Sequence, residues 1–124
     1  MKNILMLTIA MVFALNVVTV PSAVAGAEGK CKACHDFGSK HKVGPGLAGV
    51  FGRDAGGTDF GKYSDALKKG GWKWDEANLR NYLYDSKKAI KELTGDDGAK
   101  TKMPPQKLKG AKMDEVIAFL KGLK

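Results

Sequence analysis

The segment Cys31-Lys32-Ala33-Cys34-His35 combines two thiols and an imidazole at a spacing that can do chemistry. C-x-x-C-H is the attachment signature of a c-type haem. Two thiols add across the two vinyl groups of a porphyrin and form thioether bonds. Two intervening residues let one helical turn present both sulfurs to the same haem edge. The adjacent imidazole then lies under the iron and can ligate it. No other cysteine exists in the chain. A redox dithiol would call for a βαβ pattern around the pair, and none is visible. A zinc knuckle needs a second ligand pair, which His41 alone does not supply.

A low-spin haem needs a second axial ligand, and the candidates after residue 25 are Met103, Met113 and His41. His41 follows His35 by six residues on a Gly-rich loop, so it reads as a surface residue. Met113 falls on an apolar helical stripe and reads as core. Met103 belongs to no apolar periodicity. It sits in Thr101-Lys102-Met103-Pro104-Pro105, where the prolines stiffen the chain that follows. A loop methionine can also plug a core gap. With a haem granted, Met103 is the expected ligand, since Met/His ligation is the electron-transfer arrangement.

The elements that position these groups read as all-α with long loops. Met113, Val116, Ile117 and Leu120 form one apolar helical face, with Asp114 and Glu115 expected in the first turn. A second helix starts near Asp75, a potential cap, and lines Leu79, Tyr82 and Leu83 on one face. A shorter helix is expected from Tyr63 to Lys69, ended by Gly70-Gly71. The haem motif itself should occupy a short helical turn. Gly-rich punctuation from Gly38 to Gly61 predicts loops and turns.

The chain has 124 residues and a formal charge of +8, enough for one small domain. Residues 1–25 read as a secretory signal. Lys2 precedes an uncharged apolar run, Pro21 breaks it, and Ala23-Val24-Ala25 is a small-x-small cleavage site. The alternative is an uncleaved membrane anchor, for which Ile4 to Val20 is at the lower limit of length. Cleavage leaves residues 26–124 as a mono-haem domain with a charge of +7. A core that small is thin, and a covalently held haem would enlarge it. The basic balance points to acidic partners. Nucleic acid is a poor alternative for an exported protein.

The sequence resembles the class I c-type cytochromes, close in pattern to soluble mitochondrial and bacterial members. The resemblance spans Cys31 to Leu123. It rests on Cys31 to His35, Gly44-Pro45-Gly46-Leu47, Gly49-Val50-Phe51-Gly52-Arg53, Tyr63-Ser64-Asp65-Ala66, Trp74, Tyr82-Leu83 and Thr101-Lys102-Met103. It implies the cytochrome c fold, with small helices and long loops wrapped around one haem c attached through Cys31 and Cys34. It also implies His35 and Met103 as iron ligands. Pro45 should offer its carbonyl to the His35 ring. Arg53, Tyr63 and Trp74 should approach the haem propionates, with Ser64 and Thr101 as further donors. Tyr82 should lie near the Met103 sulfur. Leu47, Leu79 and Leu83 should wall the pocket.

Three departures from the family pattern carry expectations. The N-terminal helix should be about one turn, unless the signal remains and supplies it. Leu67 occupies a position that is often polar near a propionate. Lys91–Lys100 is longer than in the mitochondrial proteins and reads as a flexible turn around Thr94-Gly95-Asp96-Asp97-Gly98.

The resemblance implies a one-electron carrier outside the cytoplasm, in the periplasm, and not an enzyme. Its expected partners are acidic-surfaced redox proteins, such as a terminal oxidase or reductase or a membrane cytochrome complex. It is expected to be a monomer. Lys32, Lys42, Lys87, Lys88, Lys102 and Lys107 are candidates for a positive ring that steers those partners. The rival readings are a haem enzyme or a gas-binding protein, each needing an exchangeable sixth ligand, and a membrane-tethered carrier.

Overall fold

The computed structural model describes residues 26–124. The expected signal, including Ala23, lies outside them. Among the described residues five helices succeed one another: α1 (Gly29–Lys32), α2 (Asp65–Lys69), α3 (Glu76–Tyr84), α4 (Ser86–Thr94) and α5 (Gly110–Lys121). Among the described residues the only extended pairing is one isolated antiparallel bridge, Asp54 to Lys73. No helix among them is long and apolar enough to cross a membrane.

Local chemistry fixes most helix ends. Ser64 caps α2 by accepting from the Leu67 N–H, so that helix starts two residues later than expected. Asp75 caps α3, accepting from the Asn78 N–H at 2.8 Å. Such caps contribute about 1 kcal/mol each. Asp85 ends α3 with its own N–H on the Asn81 carbonyl and caps α4 with its side chain, which accepts from Lys88 N–H at 3.1 Å. Helix α4 was not expected from the sequence. Its apolar residues are few, but Ala89 and Ile90 are completely buried.

The expected flexible turn is the end of α4 and a bonded loop. The Thr94 hydroxyl donates to the Ile90 carbonyl at 2.6 Å, and Asp96 accepts from the Gly98 N–H at 2.8 Å. Gly95, at φ 68°, supplies the left-handed residue that ends the helix.

The core gathers where α3 meets α4 and α5. Met113, Val116, Ile117 and Leu120 of α5 are buried as their spacing predicts. The expectation for Asp114 and Glu115 fails, because α5 begins at Gly110 and its first turn holds no acid. Asp114 instead accepts from Arg80 Nη1 at 2.8 Å, and Lys121 pairs with Glu76. These exposed pairs stitch α5 to α3 at a modest gain that salt screens. Phe37, just past the haem motif, meets Phe119 edge-on at 4.7 Å between centroids. Among the described residues the first helix, α1, is a single turn.

The loops between α1 and α3 are tied across one another. Gly52 N–H donates to the Trp74 carbonyl, and Trp74 N–H to the Arg53 carbonyl. Gly56 sits at φ 66°, where a Cβ would collide with the Leu67 carbonyl. Only glycine lets this loop lie against α2.

Candidate haem site

The fold leaves an apolar slot, and all fourteen residues expected to line a haem pocket border it. Cys31 belongs to α1, and the His35 N–H reaches back to the Cys31 carbonyl at 2.8 Å, prolonging the helical turn. Both thiols are free and half-buried, and burial pushes the Cys31 thiol up.

The His35 Nδ1 lies 2.7 Å from the Pro45 carbonyl oxygen. A carbonyl can only accept, so Nδ1 carries the proton and Nε2 keeps its lone pair for a metal. Burial holds the His35 imidazole below its ordinary range, partly opposed by that hydrogen bond, while the charge of Arg53 pushes it further down. The ring is therefore kept in the neutral form that a metal requires. Gly44 gives the ring its seat, since a Cβ there would collide with it.

His41 corrects its expected surface role. Its Nδ1 accepts from the Gly46 N–H at 3.0 Å, and its Nε2 donates to Asp59 at 2.6 Å. The ring packs 5.4 Å from Phe60 between centroids. It joins the loop supporting His35 to the loop beyond Arg53. Nothing in the sequence but the presence of a carboxylate at Asp59 hinted at this.

Arg53 Nη1 donates to the carbonyls of Gly46 and Ala48, at 3.1 and 2.9 Å. Its Nε is buried without a partner. A buried orphan donor on a cation costs energy unless an acceptor arrives. Propionate oxygens on a haem in this slot would supply acceptors of the right charge. Tyr63 meets Thr58, hydroxyl to hydroxyl, at 2.6 Å. Ser64 borders the slot while its oxygen caps α2. Trp74 packs edge-on against Tyr82 at 4.9 Å.

On the other side of the sequence, Met103 is half-buried at the slot. Tyr82 and Thr101 share a 2.5 Å hydrogen bond between their hydroxyls. Burial raises the Tyr82 phenol, with the Thr101 contact opposing, so the ring stays neutral. The completely buried Ser86 donates its hydroxyl to the Met103 carbonyl at 2.7 Å. Sequence reading missed this residue together with α4. Leu47, Leu79 and Leu83 are buried walls as expected, and Val50, Phe60 and Leu120 join them. Leu67 also borders the slot, making that side drier.

Among the described residues the cations at the slot are Lys30, Lys62, Lys102 and Arg53, and no acid borders it. Only Lys102 of the expected ring is among them. Lys107 pairs with Asp85 at 3.1 Å, and Lys88 approaches Glu92 at 3.9 Å. Lys42 donates to the Lys32 carbonyl at 2.9 Å.

Free thiols one turn apart, a neutral imidazole with one nitrogen available and an orphaned cation around an apolar slot fit a covalent haem. The cytochrome c family model matches residues 23–124. The cytochrome c2 of Rhodospirillum rubrum is 44% identical over 100 residues, covering 77% of this chain and 74% of that one. The cytochrome c2 of Cereibacter sphaeroides is 38% identical over 113 residues, covering 81% and 91%. The solved structure of cytochrome c2 from Rhodobacter sphaeroides superposes with a TM-score of 0.70 at 37% identity, covering 83% of this chain and 94% of that one. The chain belongs to the cytochrome c family, as an electron-transfer protein rather than an enzyme, with one haem c attached through Cys31 and Cys34.

Proposed function

We propose that this chain is a periplasmic, monomeric one-electron carrier whose iron is held by His35 and Met103 and whose partners present acidic surfaces. The observation that carries the reading is that both residues border one slot, with His35 Nε2 left free by the Pro45 bond. When bound, the haem supplies the Fe(III)/Fe(II) couple. His35 would bind through Nε2, its orientation held by Pro45 and by the glycine seat. Met103 would bring a soft sulfur, which favours the reduced metal and raises the potential. The buried leucines and aromatic rings exclude water and disfavour the extra charge of the oxidised state. Arg53, with Tyr63, Ser64 and Trp74 nearby, would receive the propionates.

The cations Lys30, Lys62 and Lys102 at the slot support acidic partners, since they speed the encounter in a salt-dependent way. Export is supported by the signal-like residues 1–25 and by the thioether chemistry of the motif. The test is the absorption spectrum of the haem-loaded protein, ferric and ferrous, with and without CO. A low-spin spectrum with the long-wavelength Met–iron band, unaltered by CO, is expected. A high-spin ferric spectrum or prompt CO binding would overturn the Met103 assignment.

A further inference from the structure

Ser86 is the one polar residue among the described residues whose burial is complete. It occupies the first position of α4, yet it caps nothing there, because the cap is Asp85. Its hydroxyl donates at 2.7 Å to the Met103 carbonyl, seventeen residues away. A hydroxyl placed in a dry interior must be paired, and stripping it of its partner costs free energy. The bond therefore favours the arrangement in which the Met103 main chain stays against α4.

The rest of the methionine loop is held less deeply. Lys102 Nζ donates to the Lys62 carbonyl at 2.9 Å and Gln106 to the Pro104 carbonyl at 2.8 Å, both at exposed positions. The Tyr82–Thr101 bond fixes the residue two before the methionine. Ser86 alone among these grips the main chain of Met103 itself.

We propose that Ser86 is a positioning residue that sets how tightly Met103 stays on the iron, and hence how slowly outside ligands displace it. The proposal rests on the reading of Met103 as a ligand. Without the Ser86 hydroxyl the loop leaves α4 more readily, while α4 itself keeps its Asp85 cap and gains a better helix former.

Imidazole binding to the full-length, haem-loaded ferric protein tests this, followed by loss of the Met–iron band. Ser86→Ala should keep the band and bind imidazole about five- to tenfold faster, the factor expected for one lost neutral hydrogen bond. Ser86→Thr, which keeps the hydroxyl, should stay nearer the parent rate. Thr94→Ala, which removes a hydroxyl bond at the far end of α4, controls for general loosening and should leave the rate unchanged. An unaltered rate in Ser86→Ala, or an equal rise in Thr94→Ala, overturns the positioning role while the parent band keeps Met103 as ligand. A parent protein lacking the band overturns the ligand reading instead. Should Ser86→Ala fail to load haem, the parent-like rate in Ser86→Thr against a fast Ser86→Gly decides the matter, and equal rates in those two overturn the proposal.

Discussion

The ring of His35 and the carbonyl of Pro45 meet at 2.7 Å, which assigns the ring's proton to Nδ1 and points its remaining lone pair at the slot. That contact is held from behind. Gly46, next in the chain, donates its N–H to His41 and offers its carbonyl to Arg53. The peptide that orients the metal-binding ring is thus fixed by two side chains that never touch the ring's metal-facing nitrogen.

Gly44→Ala tests the seat of that ring. A methyl at this position enters the His35 imidazole, so either the ring or the Gly44–Pro45 backbone must shift. Overpacking of this kind costs about 1–3 kcal/mol, and here it also misdirects Nε2. The expected result is a lower melting temperature with a growing high-spin fraction in the ferric spectrum. A variant with parent-like spectrum and melting point would show that the loop yields without moving the ring.

The haem motif was legible in the sequence because its chemistry needs particular residue types at a particular spacing, whereas the Pro45 contact with His35 was expected only from the family resemblance. The apolar face of α5 was legible through periodicity. What escaped were features made by tertiary partners. His41 looked like an exposed loop residue, since neither Gly46 nor Asp59 is near it in an obvious motif. Helix α4 escaped because Lys87, Lys88, Lys91 and Glu92 dominate its composition, and of its three buried residues, Ser86, Ala89 and Ile90, one is polar. The start of α5 was misplaced because no side chain caps it and Lys109 precedes it in an extended conformation.

Ile90→Ala measures what that unexpected helix contributes. Ile90 is completely buried in the cluster shared with α3 and α5. Truncation removes three carbons and leaves a cavity, at a cost of about 2–5 kcal/mol, whereas Ile90→Val should cost about 0.5–1.5 kcal/mol. Denaturant unfolding of the haem-loaded protein gives both values. A loss below about 1 kcal/mol for the alanine variant would mean that α4 packs loosely or collapses into the gap.

Arg53→Ala separates charge from support. The variant loses the bonds to Gly46 and Ala48, and hydrogen bonds to a charged donor contribute about 1.5–3 kcal/mol each. A net destabilisation of about 2 kcal/mol is expected after water enters. The reduction potential should fall, because removing a nearby cation makes the extra positive charge of Fe(III) less costly. Arg53→Lys should recover most of the potential but less of the stability, since lysine lacks the forked geometry that reaches two carbonyls. An unchanged potential in Arg53→Ala would mean that solvent screens this cation from the iron.

The clasp between His41 and Asp59 gives the protein an acid-sensitive contact. The hydrogen bond donated by His41 is the main cause that holds the Asp59 carboxyl below the usual carboxylate range. A carboxyl depressed in the folded state binds fewer protons than in the unfolded chain. Its contribution is therefore complete above the unfolded pKa and is lost as pH falls through the folded one. Asp85, held down by the Lys88 N–H and by Lys107, and Glu76, held down by Lys121 and Arg80, act in the same direction. Melting temperatures should accordingly drop as pH falls below about 4. Asp59→Asn removes one titrating member of this set while keeping an oxygen that can accept from His41. The variant should be less stable near neutral pH, and its deficit should shrink with acidification as the parent's carboxylate is protonated. Melting curves that stay parallel down to about pH 3 would mean that the Asp59 carboxylate contributes nothing to stability beyond what its amide can.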